Sequence, residues 1–317
     1  MIKTNFALLI TSLFAASLHV APAQAQTVRT FVSANGSDAN TCARPQPCRT
    51  LQGAHNKTNP GGEINMLDPA GYGTVNITKS ISIVNDGVGS AGVLVGASQT
   101  GITINAGPND VINLRGLIIE GAGAGQDGIV FSSGKSLTMQ NMVVRGLTGQ
   151  GIRLVPTTSS NFAVSNTLVA DNADSGITVR PVGTSLTVKA VFNSVEVSNN
   201  FNIGIGVDGT VSTGTINVTV GESVAANNPG IGFGVQSSLG QAVTSMTLVR
   251  SAAVNNGGPV AAGAQGDNAT IRIGQTTITG NANGWGAVFG ATLQSYNDNY
   301  VDGNAASQGT QTTIPTK

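Results

Sequence analysis

Glu120, Arg145 and Asp171 stand one repeat apart along the chain, an acid, a base and an acid. Each precedes the same turn position of its repeat, so stacked copies would point outward about 5 Å apart by strand spacing. Such a column is either an exposed ion-pair ladder, contributing about 0–1 kcal/mol per pair, or the core of a site that moves protons. Arg153 and Arg180 fall on neighbouring strands and add positive charge suited to an acidic sugar. One histidine, His55, follows the N-terminal apolar run, so general acid–base work would fall to carboxylates. Cys42 and Cys48 are the two cysteines, in TCARPQPCRT. In an oxidising compartment they form a disulfide, worth about 2 kcal/mol for so short a loop. Metal binding is the weaker reading, since two thiols and His55 are too few ligands for a closed zinc site. The glycine-rich nonapeptide and D-x-D-x-D-G calcium loops do not occur, and no cofactor is expected. Phe201, Trp285, Tyr296 and Tyr300 could stack on sugar rings; alternatively Trp285 and Phe289 close the last repeats.

The elements that must carry these residues repeat. Requiring apolar residues two and four positions before a shared column gives Gly121, Gly146, Asn172, Asn199, Asn228, Asn256, Gly280 and Gly303, spaced by 23 to 29 residues. The preceding pairs, such as Met142 and Val144 or Val195 and Val197, alternate with mostly polar residues, the period of a half-buried strand. A second strand starts at Gly128-Ile129, Gly151-Ile152, Gly176-Ile177, Gly204-Ile205 and Gly230-Ile231, and a third run, such as LTVKAVF (186–192) or TINVTV (215–220), completes each unit. Three short strands per unit, in series, describe a solenoid. Parallel strands joined by crossovers favour a right-handed path. The expected fold is all-β: a single-stranded right-handed parallel β-helix with three short strands per coil and a short N-terminal cap helix. Asn172, Asn199, Asn228 and Asn256 are then a turn ladder, tolerating left-handed backbone and bonding from coil to coil; an asparagine-lined ligand surface is the other reading. A leucine-rich repeat has a similar period but needs a rigid L-x-x-L-x-L frame, which is absent.

Of the 317 residues, 9% are charged, with 15 basic and 15 acidic, and 43 are glycine. No basic excess marks a nucleic-acid partner. Plentiful Val, Ile and Leu argue against disorder, and glycine lacks the every-third spacing of collagen. MIKTNFALLITSLFAASLHVAPAQAQ has a lysine, an apolar run and Ala23-Gln24-Ala25, the pattern of a signal peptide. The apolar run is shorter than the roughly 20 residues of a membrane span. The expected organisation is a signal peptide over 1–25 cleaved between Ala25 and Gln26, a cap with disulfide and short helix over 26–60, a β-helix over 61–304, and a loose polar tail over 305–317. The processed chain is expected to have no membrane span and to be periplasmic or extracellular.

FVSANGSDANTCARPQPCRTLQGA, followed by GGEINMLDPAGYG and ITKSISI, resembles the opening of secreted bacterial right-handed parallel β-helix proteins of the pectate-lyase-like superfamily. The repeats behind it match in pattern over most of the chain. The resemblance implies polysaccharide lyases, hydrolases, epimerases or adhesins as relatives. The superfamily's enzyme motifs N-T-D, D-D, G-H-G and R-I-K are absent, and of D-P-H-D only Asp68-Pro69 is present. The expectation is therefore a non-catalytic exported β-helix presenting a surface to polysaccharide or envelope glycan. The alternatives are a lyase- or epimerase-type enzyme using Glu120, Arg145 and Asp171, and an adhesive or structural surface protein.

Overall fold

A computed structural model describes residues 27–315; the expected signal peptide and its Ala25–Gln26 junction lie outside the described residues. The chain winds as a right-handed parallel β-helix. One full coil shows the construction. Ile177–Val179 lies in a first sheet, and Gly183–Ser198 then runs through a second sheet and, after a corner at Ser194, a third. Asn199 and Asn200 turn the next corner, and the path re-enters the first sheet at Ile205–Asp208. The first sheet has nine parallel strands, from Val75–Ile77 to Trp285–Val288. The second and third are continuous where long strands pass through both.

The core is a set of aliphatic files. Ile102, Ile129, Ile152, Ile177, Ile205, Phe233, Ala262 and Trp285 stand in register along the inner face of the first sheet. All are buried. Each coil alone leaves this face wet; stacking removes it from water, at about 1.5–3 kcal/mol for each large side chain. Phe162 meets Phe131 edge-on, ring centroids 4.9 Å apart.

The corner residues require a correction. The shared column read from the sequence mixes two physical positions. Gly146, Asp171, Asn199, Asn227, Asn255, Gly280 and Gly303 hold the left-handed corner, with φ between 55° and 69°. The residue after it is the buried ladder: Asn172, Asn200, Asn228, Asn256, Asn281 and Asn304. Asn228 Nδ2 donates to Asn256 Oδ1 at 2.9 Å and to the Val197 carbonyl at 3.2 Å, while its own Oδ1 accepts from the Asn200 backbone N–H and amide. Asn199 is not a rung. It is exposed and donates to Asp171 Oδ1 at 3.1 Å. The shift arises because the inward residues before the corner are not always apolar. Thr167, Ser223, Ser251 and Thr276 are buried there, and their hydroxyls accept backbone N–H groups of the preceding coil.

The front is closed by the helix Leu51–Lys57, whose N-cap Thr50 accepts from the Gly53 N–H. Cys42 and Cys48 form the disulfide beside it. Thr27–Val32 pairs parallel with Thr58–Met66, so the cap already contributes a strand to the stack. Asp68 is a structural staple: Ser33 Oγ and the Ala34 N–H donate to its carboxylate at 2.7 and 2.8 Å, and Tyr72 Oη donates at 2.7 Å. Burial raises its pKa, but these donors outweigh burial and hold it below the usual value; Tyr72, buried against the same carboxylate, is pushed upward. At the other end the tail is docked rather than loose. Thr312–Thr313 pairs with Gln294–Ser295, supplying partners to an otherwise open edge. Trp285 is buried, but Phe289 is 74% exposed and closes nothing.

Candidate functional site

The outer face of the first sheet carries two side-chain columns per strand, because alternate residues point away from the core. One column reads Arg153, Thr178, Gly206, Gly234, Gly263, Gly286 in register. The next carries Asp208, Gln236, Gln265 and Val288 on successive strands, with Arg180 one coil before Asp208 and ion-paired to it. Unlike the corner files, these columns change chemistry along the stack. They line an open groove of about 580 Å³.

The groove has two halves. At its polar end Arg180 Nε lies 2.9 Å from Asp208 Oδ2, and Asp208 Oδ1 accepts from the Thr210 N–H and hydroxyl. Arg153 Nη1 lies 3.7 Å from Asp127 Oδ2; Asp127 is 6% exposed, and its Oδ1 accepts from the Gln150 N–H at 2.9 Å. Asp174 accepts from the Gln150 and Asn202 amides, each at 3.3 Å, and from Ser175 Oγ at 3.1 Å. Thr178 Oγ1 donates to Gln150 Oε1, so one connected network joins four coils, from Asp127 to Asn202. The other half is uncharged. Its floor is glycine, Ile203, Ile231 and Val260 stand along one side, and Gln236 and Gln265 along the other.

The residues singled out from the sequence divide between this groove and the corner. Arg153 and Arg180 line the groove. Glu120, Arg145 and Asp171 do not. Glu120 and Arg145 are in register and form an ion pair at 2.6 Å, the ladder reading. Asp171 sits one position further on, at the left-handed corner in line with Gly146, and meets Asn199 instead. An acid–base–acid column is therefore not formed. The slip is the same one-residue offset that split the asparagine column.

Asp127, Gln150, Asp174, Asn202, Asp208, Gln236 and Gln265 were missed by motif reasoning. A usable signal existed: GITVR, GIGVD and GFGVQ (176–180, 204–208, 232–236) keep apolar residues at the inward second and fourth positions while the third and fifth change chemistry. Among the described residues no group of three or more His, Cys, Asp or Glu is placed to hold a metal ion. No helix among them is long and apolar enough to cross a membrane.

No family model matches the chain, and no curated protein matches it. Solved structures do. A pectate lyase, Pel9A, superposes with a TM-score of 0.59 at 16% identity, covering 91% of this chain and 77% of that one. The A-module of the Azotobacter vinelandii mannuronan C-5 epimerase AlgE4 gives 0.39 at 14% identity, covering 81% and 91%. The GH136 lacto-N-biosidase from Eubacterium ramulus gives 0.48 at 9% identity, covering 90% and 67%. At these identities the likeness to Pel9A shows a shared fold, and a fold hosts many functions.

Proposed function

We propose that this protein is a carbohydrate-active β-helix protein that seats an extended glycan along the outer face of the first sheet. The observation that carries the reading is the groove itself: about 580 Å³, running across successive coils, with amides, hydroxyls and paired charges at one end and bare backbone at the other. Coils repeat about every 4.8 Å, comparable to the length of one sugar unit, so successive strands can meet successive sugars. Fold kinship with a pectate lyase supports carbohydrate as the ligand class. Asp127, Asp174 and Asp208 are the groove's carboxylates, and a pair of carboxylates is the usual equipment for hydrolysis of a glycosidic bond. The same reading takes the chain as exported, by its leader over 1–25.

One observation favours a second reading, glycan presentation without turnover: both groove arginines are already engaged by carboxylates, so neither stands free as a base. A panel of oligosaccharides tests both, with binding measured by calorimetry and products by new reducing ends and ultraviolet absorbance of unsaturated uronates. Turnover that falls by about a hundredfold or more in Asp174→Asn supports catalysis. Binding without product selects presentation. A panel on which nothing binds sinks the proposal.

A further inference from the structure

We propose that the groove takes an uncharged, hydroxyl-bearing glycan and discriminates against polyuronates; this rests on reading the groove as a carbohydrate site. Its lining holds three carboxylates and two guanidiniums. Arg180 is held by Asp208 at 2.9 Å and Arg153 faces Asp127 at 3.7 Å. Asp174 has no cationic partner within ion-pair distance among the described residues; its donors are two amides and a hydroxyl. The site is thus one charge negative, with its positive charge already compensated. A polyuronate brings a carboxylate on every sugar. It would have to displace Asp127 or Asp208 from its arginine and lie against Asp174, and like charges brought together in a partly desolvated groove repel.

The uncharged half fits the same occupant. Gly206 and Gly234 lie on the outer face, outside the left-handed backbone region, and a Cβ built on them would meet no atom nearer than Ile203 Cγ2 at 3.4 Å and Ile231 Cγ2 at 3.5 Å. The stack therefore has room for a methyl group at both positions. Glycine weakens a strand and often marks a place where a ligand approaches the backbone closely. A bare floor lets the flat C–H face of a pyranose ring settle between the aliphatic side and the Gln236 and Gln265 amides. Those amides offer donors and acceptors to hydroxyls and carry no charge.

The test titrates the full chain with neutral hexasaccharides (xylo-, gluco-, manno- and galacto-), galacturonate hexamers and glucosamine hexamers. At least one neutral hexamer should bind, with an affinity that changes less than about twofold between roughly 50 and 500 mM salt. Galacturonate hexamers should bind at least about tenfold more weakly. Gly206→Ala with Gly234→Ala should keep or raise the melting temperature, since alanine costs less strand entropy, yet weaken the neutral ligand about tenfold or more. Tighter binding of galacturonate with a steep salt dependence overturns the inference, as does tightest binding of glucosamine hexamers. Unchanged neutral binding in the folded double variant also overturns it. Failure of every probe class to bind removes the carbohydrate reading itself, a result distinct from a reversed preference.

Discussion

The corner files and the groove are built from the same coils and obey opposite rules. At the corner one residue type recurs: Asn172, Asn200, Asn228, Asn256, Asn281 and Asn304 are buried in file, each amide bonded to the next. On the outer face of the first sheet the residue changes from Arg153 through Thr178 to glycine in one column, and from Asp208 through Gln236 and Gln265 to Val288 in the next. Each coil from Asn172 onward pairs the same buried backbone groups, so the ladder position there stays asparagine while the exposed corner residue before it alternates among glycine, aspartate and asparagine. The outer face owes the stack nothing beyond solubility, so sustained polarity and glycine there are available for a ligand. In a solenoid, repetition reports stability and departure from repetition reports the site.

The sharpest way to break this comparison is Asn228→Ala. It strips the acceptor from the Asn200 N–H and amide and the donor from the Val197 carbonyl, all buried. Leaving such groups unpaired should cost about 1–3 kcal/mol, read as a lower denaturant midpoint with glycan affinity unchanged. A loss of binding without a loss of stability would reverse the roles assigned to corner and groove.

A pH titration sharpens it next, because the asparagine ladder holds no titratable group and the cap does. Burial, with Lys79 nearby, pushes the His55 pKa down. The unfolded chain then binds a proton that the folded chain resists, so stability falls as pH drops through the ordinary histidine value of about 6.5. In Asp38, Asp68 and Asp110 burial raises the pKa, but hydrogen bonds outweigh it and lower the net value. Their contribution is present above the ordinary carboxylate range near 4 and is lost below it. The melting temperature should thus fall in two steps with acid, and His55→Gln should abolish the upper step alone. An upper step that survives in that variant would locate it elsewhere.

The smallest stability effect belongs to paired surface arginines. Arg180→Gln and Arg145→Gln each break an ion pair between partly exposed groups and should each change stability by about 0–1 kcal/mol. Only Arg180→Gln should weaken the neutral glycan, by about tenfold. Equal binding losses in both variants would erase the distinction between the two surfaces.

Much of the fold was legible because a stacked coil forces its inner residues to repeat. The Gly-Ile starts at 128, 151, 176 and 204, the period-two strands, the disulfide and the cap helix correspond to elements of the structure, whereas Gly230-Ile231 lies two residues ahead of its strand, which begins at Phe233 in register with Ile205. The one-residue slip at the corner was not random. Alternation of apolar residues located Val169, Ala225 and Ala253 one position off, because Thr167, Ser223 and Ser251 are polar yet face inward. The dipeptides Asp171-Asn172, Asn199-Asn200, Asn227-Asn228 and Asn255-Asn256 contained the correct register, but two adjacent polar residues look alike until one is buried. Aromatic content misled in the same way: Phe289 faces water, since a hydrophobic side chain outside the inner face has no core to enter.

By itself the sequence determined that this chain winds, with what period, and where its disulfide and cap lie, since those follow from local alternation and from repeats that only make sense stacked. Tertiary structure alone decided which charges meet. Asp127 reaches Arg153, and Arg180 reaches Asp208, residues 26 and 28 positions apart in the chain, only because their strands are brought side by side in register. Arg145 meets Glu120 because the two are register partners; the next position of that file is Ala170, so Asp171, one residue later at the exposed left-handed corner, does not join them.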